Sequence, residues 1–264
     1  MSTNIINMKL SSIILLVTFS ILVVAMFASN LLLKKEYYKM DKSDLYWNYG
    51  KILQQPFKHL KIEGGNFTNI AFEQSNVSSV KVFKNWMGYE NKVVKAVVNN
   101  DTLFIKFSYS TNDLNEREYL RRSTMVRIFS PELLSVDGYN TNFELFKLKQ
   151  KSISINLSGR SKLEVESYLY NFDSLYITQR DSSEVVFEMS PDLKGKDTPA
   201  FQSNAITRNA SHSWETMYVG FLDASLQGVS LLDIGHAQIN SLKLNISDTS
   251  AILLSGQSLG KYKN

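Results

Sequence analysis

The 264-residue sequence predicts an all-β protein, a parallel β-helix of short stacked repeats, preceded by one membrane-spanning helix. Three observations carry this. An uncharged run of 21 residues lies near the N-terminus, apolar residues alternate with period two from residue 58 onward, and from about residue 133 the chain resembles itself at intervals of roughly 20 residues. Composition is compatible: 44% hydrophobic and 20% charged residues exclude a disordered chain. The absence of cysteine excludes disulfide scaffolds, thiolate zinc sites, cysteine nucleophiles and a lipid-modified cysteine. Six lysines against three acidic residues up to residue 57 carry most of the +4 net charge, so the basic pI gives no support to nucleic-acid binding.

Residues 1–12 form a short tail, and residues 13–33 (IILLVTFSILVVAMFASNLLL) the membrane anchor. At about 1.5 Å per residue the run spans the ~30 Å hydrocarbon core of a bilayer. It exceeds the apolar core of an ordinary signal peptide, and cleavage after Ala28 would place the bulky Met26 at the −3 position, so the anchor is expected to stay attached. Residues 34–57 form a juxtamembrane connector in which Lys34, Lys35, Tyr37, Tyr38, Tyr46, Trp47 and Tyr49 suit the headgroup region. The lysines after the span argue, by the positive-inside bias, for a cytoplasmic domain, whereas N-terminal placement of the span argues for export.

Residues 58–264 form the β domain. Leu60 and Ile62, Ile70 and Phe72, Val80 and Val82, Leu103, Ile105 and Phe107, and Val126 and Ile128 mark strands separated by polar turns. Asn99, Asn100 and Asp101 suit a hairpin with residues at positive φ. Asn112 to Arg122 lacks an apolar stripe and is expected to be a polar loop.

The repeats beginning at Ser152, Ser174, Phe221 and Ser241 align in columns. Ile153 and Ile155, Leu175 and Ile177, Leu222 and Ala224, and Leu242 and Leu244 supply a first apolar pair. Leu163 and Val165, Val185 and Phe187, Leu232 and Ile234, and Ile252 and Leu254 supply the second. A divergent copy runs through Leu134, Val136, Phe143 and Leu145, and the long step before Phe221 fits an insertion at 190–213. Both pairs are expected to enter one continuous core, with Ile155 and Leu244 equally buried. Gly159, Asp181, Gly228 and Asp248 share a turn position that tolerates left-handed backbone. Ser161, Ser183, Ser230 and Ser250 share a column in which stacked hydroxyls satisfy backbone groups, a structural ladder in preference to a set of nucleophiles.

These residues resemble the auto-transporter adhesin, or head GIN domain, family of Bacteroidetes-type cell envelopes. The resemblance rests on FKHLKIEGGNFTNIAFEQS from Phe57, NDTLFIKF, VRIFSPELLSV, the LSG turns at Leu157 to Gly159 and Leu254 to Gly256, and DTSAILLSG. It implies a right-handed β-helix on the periplasmic side of the inner membrane, acting as an adhesin-like interaction or structural module. Gln179, Arg180 and Asp181 depart from the LSG turn.

A search for chemistry assigns no catalytic, cofactor or metal residue. His59 and His236 read as surface or satisfied histidines, and His212 with Glu215 lacks further identifiable ligands. Glu164 and Glu166, with Glu184 and Glu188 one repeat further on, are the residues a polysaccharide-acting enzyme would use as acid and base. Arg160, Lys162 and Arg180 beside them suggest a solvated mixed-charge face instead. Asn66, Asn76, Asn156, Asn209 and Asn245 begin N-x-S/T sequons, read as compositional in a Ser- and Asn-rich β protein. The expectation is therefore a non-catalytic module with no cofactor, partnered by the lipid bilayer and by an envelope protein or polysaccharide, and not by nucleic acid. Its rivals are a polysaccharide-acting enzyme and a cytoplasm-facing, polymerising scaffold of the bactofilin type.

Overall fold

The computed structural model describes residues 9–39, 43–109, 114–146, 148–166, 172–187, 217–235 and 237–255. Two compact units are present, Met1–Trp47 and Asn48–Asn264.

The first unit holds helix α1 (Leu10–Lys39), which is long and apolar enough to cross a membrane. Apolar side chains cover its whole circumference, the pattern of a helix solvated by lipid. Its interior hydroxyls bond to the preceding turn, Thr18 Oγ1 donating to Ile14 O at 2.9 Å and Ser20 Oγ to Leu16 O at 2.8 Å. Neither hydroxyl would need water inside a bilayer. Lys34 sits over the Tyr38 ring near the helix's C-terminal end.

The second unit begins with β1 (Tyr49–Leu53), β2 (His59–Glu63), β3 (Asn69–Gln74) and β4 (Ser79–Phe83). A four-residue helix α2 (Met87–Glu90) leads to the hairpin β5 (Val94–Asn99) and β6 (Thr102–Phe107). Asn100 and Asp101 take φ of 46° and 57° between these strands, as the turn chemistry predicts. Helix α3 (Leu114–Arg121) replaces the polar loop expected at 112–122. It needs no long apolar stripe, because Leu120 is fully buried and the next turn is tied by an i,i+4 pair between Glu118 and Arg122. After β7 (Thr124–Ser130) come β8 (Ser135–Tyr139), β9 (Asn142–Phe146), β10 (Ser152–Ser158), β11 (Lys162–Glu166), β12 (Phe172–Gln179) and β13 (Glu184–Phe187). The chain closes with β14 (Tyr218–Leu226), β15 (Leu231–Gly235), β16 (Gln238–Ile246) and β17 (Ala251–Leu254).

These strands form two mixed sheets, and that overturns the right-handed parallel β-helix expected from the repeats. The nine-stranded sheet has the order β1-β4-β7-β3-β9-β11-β13-β15-β17, and the eight-stranded sheet β16-β14-β12-β10-β8-β2-β6-β5. Pairs β1–β4, β4–β7 and β5–β6 run antiparallel, and strands before β8 are interleaved out of chain order. The physical reason is turn chemistry: the Asn100-Asp101 hairpin can join only antiparallel neighbours, so one period could not extend over the whole domain. From β8 onward the strands alternate between the sheets, and each pairs in parallel with the strand two later.

Here the columns read from sequence do lie opposite one another. Ile153, Leu175, Leu222 and Leu242 are successive partners across β10, β12, β14 and β16, as are Leu163, Val185, Leu232 and Ile252 across β11, β13, β15 and β17. Gly159, Asp181 and Gly228 take positive φ at the shared turn, joined by Asn140 of the divergent copy. A Cβ on Gly228 would stand 2.7 Å from Asp181 O, so the close passage of the turns also requires glycine there. The serine column bonds to the corners as a ladder: Ser161 Oγ donates to Ser158 O, Ser230 Oγ to Gln227 O and Ser250 Oγ to Gly228 O. Gln179, the departure from the LSG turn, occupies a buried position opposite Leu157 and Leu226, and its amide donates to Ser183 O and Leu231 O. Inward residues of both sheets join one core, but its end differs from expectation. Ile155 is sealed while Leu244 is 38% exposed, β16 having a neighbour on one side only among the described strands.

Candidate functional site

The outer face of the eight-stranded sheet carries a groove of about 600 Å³ over β2, β8, β10 and β12. Strand alternation builds its floor. Ile62 and Leu157 turn into the core, so their neighbours Lys61 and Asn156 must turn out. Parallel register then aligns one polar side chain per strand: Lys61, Asp137, Asn156 and Thr178, continued by Ser225 and Asn245 on β14 and β16. Asn156 Nδ2 donates to Asp137 Oδ1 at 2.8 Å, which fixes the planes of both groups. Along the rim Lys106 donates to both carboxylate oxygens of Glu63, at 3.1 and 3.2 Å. The Tyr139 ring is 51% exposed on the same rim, and Arg180 closes the far end.

Opposing charges meet all along the face. Lys61 lies opposite Asp137, and at β16 Lys243 donates to Asp223 at 2.9 Å. That hydrogen bond, helped by the carboxylate charge, raises the Lys243 pKa above its ordinary value. His59 is held by Ser135 Oγ at 2.8 Å, so the structure makes it a satisfied histidine.

The glutamates weighed as an acid–base pair lie on the other sheet. Glu164 partners Glu144 and Val186, while Glu184 partners Lys162, so Glu164 and Glu184 stand diagonally across adjacent strands. Glu164 is ion-paired with Lys162 and lines a smaller hollow of about 190 Å³ with Glu144, Asn142 and Arg121. Glu144 is thus the carboxylate nearest in register to Glu164, and the alignment of Phe143 with Leu163 contained that signal. The side chains of Glu166 and Glu188 fall outside the described residues, as do His212, Glu215, His236 and the insertion at 190–213. Among the described residues, no group of three or more His, Asp or Glu is placed to hold a metal ion.

Sequence reasoning missed the groove. Its signal was the column following the inward pair, which reads Asn156, Thr178, Ser225 and Asn245. Two of these had been absorbed into sequons.

No family model matches the chain, and no curated protein matches it either. Among solved structures, a "putative adhesin" of Bacteroides fragilis is similar at 10% identity, covering 78% of this chain and 95% of that one, with a TM-score of 0.38. A "putative adhesin" of Parabacteroides merdae matches at 14% identity over 77% of this chain and 79% of that one, with a TM-score of 0.45. A "putative lipid binding protein" of Parabacteroides distasonis matches at 10% identity over 78% and 95%, with a TM-score of 0.27. The resemblance to Bacteroidetes adhesins read from the motifs meets proteins of that description, whereas the head GIN domain finds no matching model. At this distance no residue inherits a role.

Proposed function

We propose that the chain is a non-catalytic binding module, held by an uncleaved α1 in the inner membrane of a bacterial envelope with residues 58–264 on the periplasmic side. The observation that carries the reading is the groove floor, in which one polar side chain from each of four adjacent strands faces outward in register. Such an array presents many donors and acceptors on a rigid base, the arrangement that fixes a ligand by hydrogen bonds without reacting with it. The lipid-suited circumference of α1 supports the anchor, and of the connector read at 34–57 only the stretch before β1 keeps that role, since Tyr49–Leu53 pairs into the nine-stranded sheet. The partner is an envelope protein or polysaccharide.

Carbonate extraction of expressing cells, followed by intact-mass analysis, tests the anchor. The full-length chain is expected in the membrane pellet, and a soluble product starting near residue 29 would overturn it. Protease added to intact spheroplasts is expected to degrade the domain. Incubation of the full chain with envelope polysaccharides is expected to give binding without new reducing ends. Reducing ends that vanish on Glu164→Gln or Glu184→Gln would replace this reading with an enzyme.

A further inference from the structure

We infer that the groove over β2, β8, β10 and β12 binds an uncharged oligosaccharide, an assignment that rests on the binding-module reading above and gives that module its ligand class. At about 600 Å³ the groove has the capacity of a small-molecule site. Its polar row crosses three strand spacings, about 14 Å, with a new hydrogen-bonding group every ~4.8 Å. Successive rings of an extended sugar chain present hydroxyls at a comparable interval, so each strand meets its own ring.

The side-chain chemistry selects hydroxyls. A sugar hydroxyl both donates and accepts, and the row offers both functions side by side. Asp137 Oδ1 is occupied by the Asn156 amide, which leaves Asp137 Oδ2 to accept and the second Asn156 proton to donate. Thr178 and Ser158 add hydroxyls that serve in either sense. The planar carboxylate and amide, locked to each other, match pairs of adjacent hydroxyls on one ring. Tyr139 adds an exposed aromatic face at the rim, a surface for the C–H side of a pyranose.

Charge and shape exclude the other occupants. Lys61, Arg180 and the rim's Lys106 face Asp137 and Glu63, so charges of both signs line the groove and largely cancel, which gives a strongly charged ligand little field of one sign. Its aliphatic side chains, Ile62 and Leu157, are buried beneath the polar row, so an acyl chain would lie along polar groups with the Tyr139 ring at the rim as its exposed apolar side chain. An extended peptide docks on a sheet by pairing with an edge strand, but all four strands here are already paired on both sides.

The test uses the full chain in lipid nanodiscs, titrated with neutral cello-, xylo-, manno- and galacto-oligosaccharides, with oligogalacturonate, and with polyglutamate. At least one neutral series is expected to bind, with affinity nearly constant from low to high salt. Asn156→Ala and Tyr139→Ala are each expected to weaken that binding by about tenfold or more. Thr178→Val, which keeps the β-branched shape, is expected to weaken it while leaving the circular dichroism unchanged, and Lys95→Ala on β5 is expected to change nothing. Three outcomes would overturn the inference: no neutral series binds, the acidic sugar or the peptide binds best with steep salt dependence, or the groove variants bind like the wild type. In each, the module reading stands if the chain still retains an envelope polysaccharide or protein, and falls with the inference if it retains neither.

Discussion

Ile155 on β10 and Leu244 on β16 belong to one column of the repeat, yet the first is sealed from solvent and the second is 38% exposed. The difference extends to their neighbours: Leu157 and Leu226 are buried, whereas Ile246 is 42% exposed. Among the described strands β16 and β17 end their sheets, and the inward-facing residues toward the end of β16 keep solvent that those of β10 have lost. Periodicity therefore reports which way a side chain points, and the count of neighbouring strands decides what pointing that way is worth.

The largest effect expected to follow from this comparison is at Ile155. Ile155→Asp buries an unpaired charge and should cost several kcal/mol, enough to prevent folding, while Leu244→Asp should cost less than about 1.5 kcal/mol. Urea unfolding of the full chain in detergent, followed by tryptophan fluorescence, measures both, and equal losses would mean that the end of the stack is covered in solution. Truncation is the next step down. Leu222→Ala should lose about 2–5 kcal/mol and Leu242→Ala less than half of that, since the half-buried site leaves a smaller cavity. The interior also holds a polar member with no counterpart at the end. Gln179→Ala should cost about 1–3 kcal/mol by stripping the amide donors from Ser183 O and Leu231 O, and Gln179→Leu should cost less because it refills the space. The smallest effect is the exposed pair of Asp223 on β14 and Lys243 on β16. Because the folded state raises the Lys243 pKa through Asp223, the pair's contribution is complete at neutral pH and disappears as pH rises through the folded-state value. Thermal melts of wild type and Lys243→Met should therefore differ slightly at neutral pH and converge in strong alkali. A difference that persists there would assign the effect to packing of the lysine stem.

The same contrast marks what was legible in the sequence. The facing of every repeat strand could be read from Ile153 to Leu254, because a one-residue slip would have turned the whole apolar set outward. The Asn100-Asp101 hairpin was legible from turn chemistry alone. The antiparallel pairing of β1, β4 and β7 was not, since nothing local in Lys81 or Arg127 shows that they face each other across two strands. Helix α3 escaped because its sequence shows no apolar stripe, although Leu120 within it is fully buried. The groove was half legible: Asn156 and Thr178 lie in a visible column, but Lys61, Asp137 and Tyr139 come from strands outside the regular repeats.

The long-range pairing of β2 with β8 also sets a timetable. His59 and Ser135 meet across 76 residues of chain, so at ordinary rates of translation β2 leaves the ribosome roughly 4–15 s before its partner. In that interval β2 can pair with β6, but its other edge has no partner until β8 is made. Strand β3 waits in the same way for β9, with Ile70 opposite Phe143. Later strands close on partners about one repeat behind them and wait less, apart from β14 and β15, whose partners lie beyond the long step before Phe221. The first half of the domain is therefore the part whose strand edges stay unpaired longest during synthesis, while among the described strands the finished sheets end at β1 and β5 as well as at β16 and β17.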